Sequence, residues 1–121
     1  MTVLLWVLQV ILAVAFAAAS AMHLAKSKAD LTTKFPVLEA YRPISIKGIG
    51  VAEGLGALGL VAAPLVGWSA LVPWAALGLA CIMIAASMAH AERGEWKDIA
   101  VPAALLVAAV IVVYGRTILP A

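Results

Sequence analysis

The sequence predicts an all-α integral membrane protein: a four-helix bundle in up-down topology with short loops, one domain over residues 1–121. Three observations predict it. Hydrophobic residues make up 66% of the chain and charged residues only 12%, about half the charge of a water-soluble domain. The apolar residues gather into four runs, each near the roughly 20 residues that cross a bilayer's hydrocarbon core. Charged residues cluster between the runs, which leaves no room for a separate soluble domain.

The first span runs from about residue 3 to 24. Its stretch AFAAASAM has the small residues of a signal-peptide end. No Lys or Arg precedes the run, however, and it is long enough to cross, so it reads as a membrane helix. Lys26, Lys28, Asp30, Lys34, Glu39 and Arg42 then make residues 25–43 the one substantial loop, punctuated by Pro36 and Pro43. The second span covers about 44–66, with Pro64 and Gly67 at its end. The third, about 69–89, follows so closely that the two must be antiparallel neighbours. HAERGEWKD at 90–98 separates the fourth span, about 99–119, which tolerates Pro102 in its first turn because a missing N–H costs least there.

Charge sets the orientation. Lys26, Lys28, Lys34, Arg42, Lys47, Arg93 and Lys97 fall on one side, and Arg116 alone falls near the other. The positive-inside rule therefore places loops 25–43 and 90–98 in the cytoplasm and both termini outside, with a bacterial inner (plasma) membrane as the expected location. Trp68, Trp74 and Trp96 suit interfacial anchoring. A net charge of +2 gives no footprint for nucleic acid, so the bilayer is the first partner. Cys81 is the only cysteine and can form no disulfide within the chain.

One residue breaks the apolar pattern. Glu53 sits mid-span in IGVAEGLGALGLVAAP, and inserting an acidic side chain at a helix centre costs about 2.5 to 3.5 kcal/mol. Ile49, Gly50, Gly56 and Ala57 share its face, and Gly48, Ala52 and Gly56 form a second small-residue stripe, so Glu53 is expected to face protein. At 1.5 Å per residue it lies on the order of 10 Å inside the cytoplasmic boundary. His23 with Lys26, and His90 with Arg93, are each three apart near that boundary and frame a polar vestibule below it. Glu53 and His90 are the candidate proton-transfer or polar-anchor groups; His23, Lys26, Arg93 and Arg116 are candidate binding residues. Arg116, near the opposite boundary, is not expected to reach Glu53. No metal motif is present, so no metal site is expected.

Several stretches, in order, resemble the DoxX-like family of small four-helix membrane proteins: HLAKSKADL and KFP after span one, IGVAEGLGALGLVAAP in span two, ALGLACIMIAASMAHAERGE in span three, and YGR in span four. The resemblance covers most of the chain. It implies the four-helix bundle and marks Lys26, Glu53, His90 and Arg116 as its polar positions. Members of the wider group have been linked to quinone-coupled sulfur oxidation as accessory subunits, to oxidative-stress complexes and, among distant animal relatives, to receptor assembly.

Three readings follow. The first is a non-catalytic accessory or assembly subunit of a membrane complex, or a homo-oligomer, docking through its small-residue faces. The second is a quinone- or lipid-linked oxidoreductase subunit, with a quinone or other isoprenoid lipid as cofactor and Glu53 and His90 passing protons. The third is a proton-coupled transporter. Its length, four spans and single membrane Glu resemble the small multidrug resistance transporters, whose Glu lies on the first helix; here span one has no acidic residue.

Overall fold

The computed structural model describes residues 2–118. Leu119, where the fourth predicted span ends, lies outside the described residues. The chain forms α1 (Thr2–Ala25), α2 (Lys28–Lys34), α3 (Pro43–Leu65), α4 (Leu71–Glu92) and α5 (Ala100–Ile118), with 3-10 turns at Pro36–Ala40 and Trp96–Ile99. Helices α1, α3 and α4, and α5 with the 3-10 turn before it, are long and apolar enough to cross a membrane. This is an integral membrane protein. Helix α1 packs along α3, α3 along α4, α4 along α5, and α5 closes the ring on α1.

The bundle's core is a band of Leu12, Phe16, Leu60, Val72, Ala76, Leu79, Ala109 and Val112. At most 28% of any span is buried inside the protein, and Val14, Leu55, Leu58, Trp74 and Val101 lie on the outer surface. That apolar exterior is what a lipid solvent requires.

Two connections are built by Schellman caps, each needing a left-handed residue that glycine adopts without a Cβ penalty. After α3, Gly67 takes φ +87, and Trp68 N–H reaches back to the Ala63 carbonyl at 2.8 Å. After α4, Gly94 takes φ +70, Glu95 N–H bonds the His90 carbonyl at 2.9 Å, and Gly94 N–H bonds Ala91 at 3.0 Å. The second cap folds Glu95 back over His90.

Residues 25–43 are not an open loop. Ser27 caps α2 by accepting from Asp30 N–H at 3.2 Å, and Leu31, Val37 and Leu38 bury against Ile46 in a second small core. The segment forms a cap on one end of the bundle. Three buried apolar side chains in a short polar stretch do not register as a span, yet they are enough to dock against one. The base of the cap is fixed by Lys47, whose Nζ donates to the carbonyls of His23 (2.9 Å), Leu24 (2.8 Å) and Lys26 (2.9 Å). These include carbonyls that the end of α1 leaves without helical partners.

Candidate functional site

Glu53 is 3% exposed and bonds His23 through Oε1 and Nδ1 at 2.7 Å. The glycines around it make this contact. Gly50 lies where an added Cβ would stand 3.0 Å from His23 Cβ, and at Gly54 it would stand 2.8 Å from Ser20 Oγ. A larger residue would press on the His23 Cβ at position 50 and displace the Ser20 hydroxyl at position 54. Ser20 Oγ also donates to the Gly50 carbonyl at 2.6 Å, which ties the two helices together one turn from the pair. A buried carboxyl in contact with an imidazole holds one proton in that hydrogen bond, whichever group carries it.

Two chambers adjoin Glu53. One, of about 270 Å³, lies beneath the cap between α1, α3 and α4, walled by Met22, Phe35, Leu38, Tyr41, Ile82 and Ala86. The other, of about 390 Å³, runs toward α5 past Phe16, Val101 and Leu105, with Lys34, Lys97 and Asp98 at its charged end. Glu53, His90, Ala19, Phe35 and Met83 line both. Together they fall in the range of small-molecule sites, which are mostly apolar with a few convergent polar groups.

His90 approaches from α4. Its Nδ1 lies 2.9 Å from Glu95 Oε1, and Arg93 Nε donates to Glu95 Oε2 at 3.0 Å. The His90 bond, then the Arg93 bond, hold the Glu95 carboxyl below its usual titration range. His90 therefore faces the chambers on one side and an ion cluster at the surface on the other.

The sequence profile of the DoxX-like family matches residues 7–112. The chain belongs to the DoxX-like family. Comparison with curated proteins and with solved structures gives no match. The DoxX-like match takes in α1, α3 and α4 and so covers Glu53, His23, His90 and both chambers; Arg116 lies beyond it.

The DoxX-like bundle brings some candidate residues together and separates others. Glu53, His23 and His90 converge on the chambers. Lys26 does not, because α1 ends at Ala25, so the three-residue spacing from His23 no longer means a shared face; its exposed side chain points away while its carbonyl serves Lys47. Arg93 is likewise past the end of α4, and its side chain meets that of His90 only through Glu95. The second small-residue stripe also divides. Gly56 packs inward, where an added Cβ would lie 2.6 Å from Leu79, while Gly48 has nothing near it and Ala52 is exposed.

Arg116 sits at the far end of the bundle. Its Nε donates to Gln9 Oε1 at 2.7 Å and its guanidinium lies 5.7 Å from the Trp6 ring centroid. Gln9, Ser20, Lys47 and Glu95 are structural partners that the sequence reading passed over. Gln9 carried the clearest signal, as an amide in the middle of an apolar span, subject to the same desolvation argument that singled out Glu53. Among the described residues, the His and carboxylate atoms that gather within 4.8 Å belong to His90, Glu95 and Asp98, a different set from the His23, Glu53 and His90 that converge on the chambers.

Proposed function

We propose that this DoxX-like chain is an accessory subunit of a membrane complex that holds a lipid-soluble molecule of the quinone class, with Glu53 as the proton-exchanging group at its polar end. One observation carries the reading: Glu53, buried and bonded to His23, lines two adjoining apolar chambers. A carbonyl or hydroxyl placed there meets a carboxyl and two imidazoles, His23 and His90, and otherwise touches mostly apolar walls. A molecule that gains or loses a proton at such a group needs a donor with a nearby proton store, and the His23–Glu53 hydrogen bond is one. His90 with Glu95 continues toward the cytoplasm-assigned surface. The docking face that a purely structural subunit would present is not continuous, since the Gly48 stripe divides between the inside and outside of the bundle.

The test is binding of a short-chain quinone analogue to the detergent-purified protein, together with analysis of lipids that copurify. Glu53→Gln is expected to weaken binding about tenfold, the loss of one hydrogen bond involving a charged partner, while helical content stays unchanged. Ala86→Phe, which fills the chamber under the cap, should abolish binding. Wild-type protein that carries no isoprenoid and does not bind the analogue would overturn the proposal.

A further inference from the structure

The other end of the bundle holds a charge with no counter-ion among the described residues. Arg116 is 7% exposed, and both Nη1 and Nη2 are buried without a hydrogen-bond partner among the described residues. Every acidic side chain of the sequence lies elsewhere: Asp30 and Glu39 in the cap, Glu92, Glu95 and Asp98 beside the second loop, and Glu53 on the inner site. Leu60, level with the Arg116 partner Gln9, is seven residues beyond Glu53 on α3, about 10 Å along the helix. Core residues Ala57, Leu60 and Val112 fill that interval. The inner carboxyl is therefore not the partner.

The guanidinium is nonetheless held in a defined pose. The Gln9 amide is fixed because its Nε2 donates to the Leu60 carbonyl at 2.6 Å, which leaves Oε1 to accept from Arg116 Nε. The Trp6 ring covers the guanidinium, and Trp6 is only half-buried. What remains is the end-on pair Nη1 and Nη2, the fork that binds two oxygens of one anion. A buried cation without an anion is strongly unfavourable, and an unsatisfied buried group of this kind indicates an ion or ligand that completes it.

We propose that Arg116 is the receptor for an oxyanion of the phosphate class, held by Nη1 and Nη2 at the end of the bundle opposite the cap, with Trp6 as the side chain that moves to admit it. Arg116 lies two residues from the end of α5, the depth at which lipid phosphates meet helix ends. The site is independent of the Glu53 chambers.

The test titrates the delipidated full chain in detergent with three probes: inorganic phosphate, short-chain phosphatidylglycerol and short-chain diacylglycerol. Affinity is read from the rise in melting temperature. Stabilisation by phosphatidylglycerol but not diacylglycerol supports the site and assigns a lipid headgroup. Stabilisation by inorganic phosphate as well supports it and assigns the free anion. Arg116→Gln should lose at least tenfold in affinity, and Arg116→Lys less. If Arg116→Gln fails to fold, Gln9→Glu with Pro64→Ala substitutes: the new carboxylate neutralises Arg116 from its Nε side and the new backbone N–H serves Leu60, so the protein should melt higher and respond less to phosphate. Equal responses to diacylglycerol and phosphatidylglycerol, unchanged binding by Arg116→Gln or by the double variant, or no response of the wild type to either phosphate probe would overturn the proposal.

Discussion

Gln9 gives Leu60 the hydrogen bond that Pro64 withholds. In a helix the carbonyl of residue 60 accepts from the N–H of residue 64, and proline has none. The Gln9 amide crosses from α1 to fill the vacancy at 2.6 Å, and with its other end it steadies Arg116. In lipid no water can substitute, so an irregular backbone persists only where protein satisfies it. Gln9→Leu should therefore destabilise the bundle by about 1 to 3 kcal/mol, the cost of an orphaned buried acceptor. Pro64→Ala should recover part of that loss in the Gln9→Leu background and contribute less to the wild type. Equal effects of Pro64→Ala in both backgrounds, measured by reversible unfolding in mixed micelles, would show that the two residues are not coupled.

His23 and Glu53 form the second buried pair. Truncating His23 to Ala leaves Glu53 without its partner and should cost about 2 kcal/mol, in the range of hydrogen bonds to charged groups. Glu53→Gln keeps an acceptor for His23 and should cost less. A double-mutant cycle measures the coupling; additive losses would rule it out.

Glycines of α3 and α4 divide into packed and open positions. At Gly59 an added Cβ would stand 2.7 Å from the Cβ of Ala75, an atom that cannot rotate aside, so Gly59→Ala should cost about 1 to 3 kcal/mol. At Gly48 and Gly78 nothing lies within 4 Å, and alanine there should be neutral or stabilise by up to about 1 kcal/mol through helix propensity. Melting temperatures of the three variants check the order.

Glu95 predicts a pH response at the capped end of the bundle. Its carboxyl is held below the ordinary range by His90 and Arg93, so its tie to them is fully present above the pKa of an unfolded glutamate, about 4.3. That contribution is lost as pH falls through the lowered folded value. Amide protection factors at residues 93–98, corrected for the intrinsic pH dependence of exchange, should therefore fall as pH drops below the unfolded glutamate range. Glu95→Gln should exchange faster already at neutral pH and lose the acid-dependent step.

The four spans were legible because a 20-residue apolar run has few alternatives, and the predicted bounds differ from the helices by no more than three residues within the described chain. Pro43 and Pro102 act as expected, one opening α3 and the other in the first turn of α5. Glu53 was legible for the same energetic reason that its burial needs a partner. The choice of partner was not, because His23 and Lys26 were placed by helical spacing across a helix that ends between them. The cap was missed because its docking depends on Leu31, Val37 and Leu38 meeting Ile46, a match in space with no periodic trace in sequence. Glu95 could be located from Gly94: a Gly just past a helix folds the residue after it back over the last turn, where His90 lies.

Lys47 has a mechanical consequence. It grips the end of α1 from the first turns of α3, and the span it closes, 21 residues from Lys26 to Lys47, contains the whole cap. Lys47 thus locks the two chain ends from which the cap rises, the base about which any movement of the cap would hinge. Undocking Leu31 and its neighbours would open the chamber beneath without parting α1 from α3, whose grip at His23 and Leu24 lies below the hinge. Entry to the Glu53 chamber and the integrity of the bundle are set by different contacts, so the doorway can be loose while the walls stay rigid.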